Sequence, residues 1–139
     1  AKLKDNGIFL RECLYETHLT NSELIERMKQ HIFNPNAPIY ADCAEPQRIK
    51  EIYDTHRFNI KESDKSVKDG IDHVKRYKLH VHKSSANLIK EIQSYKWKED
   101  KNGNILDDPV KFNDHALDAV RYSIFTHLKD NIQSKQICW

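Results

Sequence analysis

The sequence predicts an α/β domain in which at least some strands run parallel and helices flank them. Two observations carry that expectation. Short apolar segments alternate along the chain with segments of helical periodicity, the pattern of crossover connections. The segment Pro38-Ile39-Tyr40-Ala41-Asp42 is apolar until its last residue, as a strand in the middle of a sheet should be. At 139 residues the chain has the length of one domain, with its core assigned to residues 8–128 and a frayed polar tail to 130–139.

Each element has a local reason. Asp5-Asn6-Gly7 reads as a tight hairpin turn and Ile8 to Glu16 as the strand after it. Only four residues precede Asp5, so the chain is expected to begin in the second half of a hairpin. Thr20 and Glu23 form a capping box for a helix that runs to about Ile32 and stops before Asn34-Pro35. Leu24, Ile25, Met28 and Ile32 give that helix its apolar stripe. Pro46 stands in the first turn of a second helix, where proline is tolerated, with Ile49, Ile52 and Tyr53 inward. Phe58 to Lys61 is a short strand, and Ser66 to Tyr77 a helix with Val67, Ile71 and Val74 inward. Leu79 to His82 is a strand whose two imidazoles, His80 and His82, share one face. That face reads as solvated or DNA-facing, with a metal role as the weaker alternative. A helix begins at Ser84 to Asn87 and continues through Leu88, Ile89 and Ile92. Tyr95 to Lys98 alternates and Asp100 to Asn104 turns the chain, which reads as a hairpin. A long helix is expected from Asn113 to about Lys129.

Composition excludes more than it assigns. Apolar residues make up 38% and charged residues 32%, with a net charge of +2, too small to announce a nucleic-acid binder by itself. No apolar run approaches the roughly 18 residues of a bilayer span, and no signal-peptide core opens the chain. The expected location is the cytoplasm. Cys13, Cys43 and Cys138 form no CxxC pair, so they read as free thiols rather than zinc ligands.

Two segments concentrate chemistry. In Tyr40-Ala41-Asp42-Cys43-Ala44-Glu45-Pro46, Asp42 ends an apolar strand just before a helix, where α/β folds place ligands. In Asn113-Asp114-His115-Ala116-Leu117-Asp118-Ala119-Val120-Arg121-Tyr122, the acidic residues Asp114 and Asp118 are four apart, and His115 and Asp118 three apart. Such pairs share a helix face. A carboxylate among alanine, leucine and valine needs a partner, and a divalent cation is an economical one. Taken singly, each residue has an ordinary reading. Asp42 caps the following helix, Asp114 is an N-cap, and Glu45 complements a helix dipole. Asp118 pairs with Arg121 one turn on, and His115 packs or is solvated.

Together these segments resemble the nuclease domain of phage terminase large subunits. The first resembles its ADSAEP-type motif and the second its DHxxDAxRY motif. Leu14-Tyr15-Glu16, Leu19-Thr20-Asn21, Ser66 to Ile71, Asn87 to Glu91 and Tyr95-Lys96-Trp97 follow in the same order, so the resemblance covers roughly residues 7–128. It implies a ribonuclease-H-like (retroviral-integrase-like) fold, a mixed central sheet flanked by helices, here lacking its first strand. It implies an endonuclease that cuts double-stranded DNA concatemers with two divalent ions, Mg²⁺ or Mn²⁺. Asp42 matches the second acidic position, Asp118 the third and His115 the nearby histidine, while Asp114 and Glu45 are candidate outer or substitute ligands. The first acidic position lies in a GxDxG-like segment that these residues do not contain, and Asp5 sits in the turn after it. No GxxxxGK[ST] phosphate loop occurs in the chain either. The fragment is therefore expected to bind metal weakly and to cleave little. Lys78, Lys83, Lys96, Lys98 and Lys101 are candidate DNA-backbone contacts. The family further implies the portal protein and the small terminase subunit as partners, in the cytoplasm of a bacterial host. The alternative is a noncatalytic prophage remnant that binds DNA or a packaging partner.

Overall fold

The computed structural model describes residues 1–34, 36–110 and 114–136. Pro35, Asn113 and Cys138, each of which entered the expectations above, lie outside the described residues.

Strand β1 (Lys2–Lys4) pairs antiparallel with β2 (Gly7–Leu10), in the register Lys2↔Phe9 and Lys4↔Gly7. The four residues before Asp5 thus suffice for the first half of the hairpin, which corrects the expectation that the chain starts in its second half. Asp5 and Asn6 take φ of 47° and 62°, the two left-handed residues of a tight turn whose twist suits paired strands. Strand β2 stops at Leu10 rather than running to Glu16. The reason is Glu12, whose carboxylate turns to accept from Asn87 Nδ2 at 2.8 Å and from the Leu88 amide at 2.7 Å. Glu12 thereby serves the first turn of a helix distant in sequence.

Helix α1 (Asn21–His31) begins on the expected capping box, with Thr20 Oγ1 accepting from the Glu23 amide and the Glu23 carboxylate accepting from the Thr20 amide. Strand β3 (Ile39–Ala41) leads through Glu45 into α2 (Pro46–His56), with Pro46 in its first turn. That helix ends on Arg57 in the left-handed conformation, φ 57°. Strand β4 (Ile60–Glu62) lies parallel to β3. Helix α3 (Val67–Lys75) leads to β5 (Lys78–Val81), which lies parallel to β2. Helix α4 (Ala86–Ser94) precedes the hairpin β6 (Trp97–Glu99) and β7 (Ile105–Pro109). In its turn Gly103 takes φ 82°, where a side chain would be strained. Helix α5 (His115–Gln136) closes the order. That helix includes residues 130–136, which contain no proline or glycine to break it.

Among the described residues the strands form separate pieces, β1-β2-β5, β3-β4 and β6-β7. The hydrophobic core is divided in the same way. Ile8, Leu10, Leu88, Val120 and Ile124 form one cluster beneath β2. Ile25, Ile49, Ile52, Phe58 and Ile60 form another between α1, α2 and β4. Each such side chain contributes about 1.5–3 kcal/mol when fully buried. Helix α5 bridges the pieces. Its Val120 and Ile124 enter the first cluster, while its His127 Nδ1 lies 2.9 Å from the Tyr40 hydroxyl on β3. Its Thr126 Oγ1 accepts from the Asp64 amide after β4 at 2.9 Å. No helix among the described residues is long and apolar enough to cross a membrane.

Candidate metal centre

The fold brings the two sequence-distant acidic segments onto one network. Asp42 follows β3, half-exposed, and its Oδ1 accepts from the Ala44 amide at 2.8 Å and pairs with Lys65 Nζ. The Lys65 ammonium holds the Asp42 carboxyl below the usual carboxylate range, and Asp42 in turn raises Lys65. The backbone of Lys65 completes the link. Its carbonyl accepts from Arg121 Nη1 at 3.1 Å, and the Ser66 carbonyl accepts from the same nitrogen at 3.0 Å. Arg121 Nη2 then donates to Asp118 Oδ1 at 2.6 Å, and the Tyr122 hydroxyl donates to Asp118 Oδ2 at 3.3 Å. Burial pushes the Tyr122 phenol up, and the charges of Asp118 and Asp42 push it further, so both carboxylates act on one hydroxyl.

Arg121 is the hub, 7% exposed, and Gly70 makes room for it. A Cβ at Gly70 would lie 2.7 Å from Arg121 Cγ and 3.0 Å from Cδ. The glycine therefore serves close approach rather than backbone freedom. Asp64 fixes the loop that carries Lys65. Its Oδ1 accepts from the Ser66 hydroxyl at 2.6 Å and the Ser66 amide at 2.9 Å, and its Oδ2 from Lys129 Nζ at 2.6 Å. Those donors hold the Asp64 carboxyl well below its usual range, Lys129 first among them.

The start of α5 is positioned from another helix. Glu91 on α4 is 4% exposed. Its Oε2 accepts from the amides of Ala116 at 2.8 Å and Leu117 at 3.0 Å, and its Oε1 from the Tyr15 hydroxyl at 2.8 Å. An anion at the N-terminus of a helix satisfies amides that have no partner within it and complements the dipole. That bond to Glu91 is the main reason the Tyr15 phenol is raised.

The other expected residues fall at different distances from the network. Glu45 pairs with Arg48 Nε at 2.9 Å. Asp114 precedes α5 and its carbonyl accepts from the Asp118 amide at 2.8 Å. His115 is exposed and lines a cleft of about 650 Å³ with Arg11, Glu12 and Tyr15, whereas Asp118 lines a different, apolar pocket with Leu10, Ile71 and Leu79. The two residues therefore face different walls of α5, although their spacing puts them within one turn. His80 is stacked on Phe9, and His82 Nδ1 lies 2.7 Å from the Ser84 hydroxyl. Lys78 opens β5 and Lys83 follows it, both exposed, and Lys96, Lys98 and Lys101 belong to the β6-β7 hairpin. Among the described residues no three His, Cys, Asp or Glu side chains gather closely enough to hold a metal ion. Asp42 and Asp118 are carboxylates of the type that suits Mg²⁺ or Mn²⁺, each matched here to a protein cation.

The Asp118–Arg121 pair is legible from its spacing in the sequence, whereas Lys65, Asp64, Glu91 and the spatial role of Gly70 are not. Glu91 and Glu12 carry no local signal as caps, since each serves a helix far from it in the chain.

Helices laid against mixed β pairs, with acidic residues at a strand end and on the long last helix, define a ribonuclease-H-like architecture. The chain belongs to the terminase RNase H-like domain family, whose model matches residues 2–125. Among solved structures it is similar to the Mn-bound nuclease domain of the large terminase of bacteriophage SPP1, at 21% identity and a TM-score of 0.76, over 90% of this chain and 72% of that one. It is also similar to a large terminase from a thermophilic bacteriophage, in complex with ATP-γ-S, at 25% identity and a TM-score of 0.66. That match covers 79% of this chain and 30% of the other. No curated protein matches the chain.

Proposed function

We propose that this chain is the nuclease-type domain of a phage or prophage DNA-packaging terminase, acting on double-stranded DNA through divalent metals held by Asp42 and Asp118. The observation that carries the reading is the network from Asp42 through Lys65 and Arg121 to Asp118. It joins the two family acidic positions into one electrostatic unit, and the Mn-bound SPP1 domain of similar fold supports a divalent ion at such a unit. Bound ions, two Mg²⁺ or Mn²⁺, would supply water activation and leaving-oxygen stabilisation for phosphodiester hydrolysis.

In the protein alone, Lys65 and Arg121 neutralise the two carboxylates. Asp42 is the more available ligand, because its partner is a flexible lysine at a half-exposed site. Asp118 is held on both oxygens, by Arg121 and Tyr122, which fixes its orientation. His115 approaches a scissile phosphate or its attacking water from the cleft side of α5, and Asp114 and Glu45 stand as outer ligands. Lys78, Lys83, Lys96, Lys98 and Lys101 meet the DNA backbone, a contact of charge and shape rather than of sequence. The portal protein and the small terminase subunit, in the host cytoplasm, are the partners that the family implies.

The 139-residue polypeptide taken alone is a weak metal binder with little cleavage, because the carboxylate of the family's first acidic position is not among its residues. The noncatalytic reading gains from one observation: both acidic groups already have protein cations. A cleavage assay on linear duplex with Mn²⁺ separates the outcomes. Little or no cleavage is expected, with duplex binding that weakens as salt rises. Robust Mn²⁺-dependent cleavage abolished by Asp118→Asn would contradict the weak-activity part while supporting the site. Robust cleavage unaffected by both Asp42→Asn and Asp118→Asn would sink the site.

A further inference from the structure

The outer face of the β1-β2-β5 sheet has a chemistry of its own. The register aligns Lys2, Phe9 and His80 across the three strands. The Phe9 and His80 rings are stacked, with centroids 4.4 Å apart and planes 7° from parallel. Phe9 remains 42% exposed, although it is a large apolar side chain in the middle strand of its sheet. Next along this face, two residues and about 7 Å from the ring pair, stand the exposed Arg11 and His82 at one end and Lys4 and Lys78 at the other. Strands β1, β2 and β5 contain no Asp or Glu. Of the nearest carboxylates, Glu12 is turned away onto α4, and Asp5 sits in the turn 3.9 Å from Lys4.

This face lies opposite the candidate metal centre. Leu10 and Leu79, whose neighbours on the strands are Phe9 and His80, line the pocket that Asp118 rims. Alternation along a strand then puts the ring pair on the other side of the sheet. A flat exposed aromatic platform bracketed by cations, on a sheet, suits a single nucleic-acid strand. Bases stack on the rings and phosphates meet the flanking lysines and arginine.

We propose that this face binds single-stranded nucleic acid, with Phe9 and His80 as the stacking platform and Lys2 and Arg11 as phosphate contacts. The site is separate from the metal centre and needs no metal. The test is fluorescence anisotropy with a labelled oligo-dT of about 12 nucleotides in EDTA at low salt. Under those conditions the outcome does not depend on whether Asp42 and Asp118 bind metal. Phe9→Leu keeps the apolar bulk and removes the ring, and His80→Ala removes the other half of the stack. Each should weaken binding about 10-fold, with circular dichroism unchanged. Arg11→Ala should lower the slope of log affinity against log salt by about 0.7. Lys50→Ala, exposed on α2, should leave binding as it is. Unchanged affinity in both Phe9→Leu and His80→Ala would overturn the proposal. So would equal competition by a poly-glutamate peptide of matched charge, which would reassign the face to an acidic protein surface.

Discussion

Gly70→Ala tests whether the candidate centre depends on the path of one buried side chain. Alanine at an ordinary helix position stabilises by about 1 kcal/mol relative to glycine, and Gly70 lies in the interior of α3. The added methyl would nevertheless stand 2.7 Å from Arg121 Cγ, about 1 Å inside ordinary carbon contact. Cγ is near the root of the side chain and cannot swing away without moving the guanidinium. Overpacking of this kind costs about 1–3 kcal/mol. Displacing the guanidinium would also weaken its bonds to the Lys65 and Ser66 carbonyls and to Asp118, and a hydrogen bond to a charged group contributes about 1.5–3 kcal/mol. The net expectation is a loss of about 1–3 kcal/mol in urea denaturation, despite the gain in helix propensity. In a background of Arg121→Ala, which removes Cγ and Cδ, the steric part should vanish, giving a coupling of at least about 0.5 kcal/mol in the double-mutant cycle. A Gly70→Ala protein more stable than the parent would refute the reasoning, since Arg121 would then not be pinned against α3.

Two further outcomes follow from the same network. Glu91→Ala leaves the Ala116 and Leu117 amides and the Tyr15 hydroxyl without their acceptor, and should cost about 2–4 kcal/mol by urea denaturation; a loss below about 0.5 kcal/mol would mean that α5 does not depend on this cap. Asp64 has a folded pKa below its unfolded value, so its contribution is present above the unfolded pKa and fades as pH falls through and below about 4. Asp64→Asn should therefore be less stable than the parent at neutral pH by about 1–2 kcal/mol, with the gap narrowing toward pH 3; a gap that widens on acidification would contradict the assignment.

What was legible in the sequence was mostly local. The Thr20–Glu23 capping box, the Asp5-Asn6 turn and the first-turn Pro46 are each decided by neighbours in the chain, and each stands as expected. The two acidic segments were legible because each combines a strand end or helix start with a motif. The interactions that tie them together were not. Lys65 is an exposed lysine in a loop, and nothing near it in the chain distinguishes it from other lysines until the fold brings it to Asp42. Glu91 and Glu12 resemble ordinary surface carboxylates in a one-dimensional pattern, yet they cap helices contributed by other parts of the chain. The spacing of His115 and Asp118 suggested one face, but a 3-residue step along α5 is enough to set them on different walls once β2 and α4 pack beneath that helix. Strand β2 ended early because Glu12 leaves the sheet for α4, a tertiary choice that alternation cannot reveal.

The most direct test of the central claim is an NMR titration with Mn²⁺, reading which backbone amides broaden. If Asp42 and Asp118 share one metal centre, amides 42–44 and 114–118 broaden together at low Mn²⁺ and both sets are spared in Asp118→Asn. Broadening centred on His80 and His82, or on only one of the two acidic segments, would contradict it.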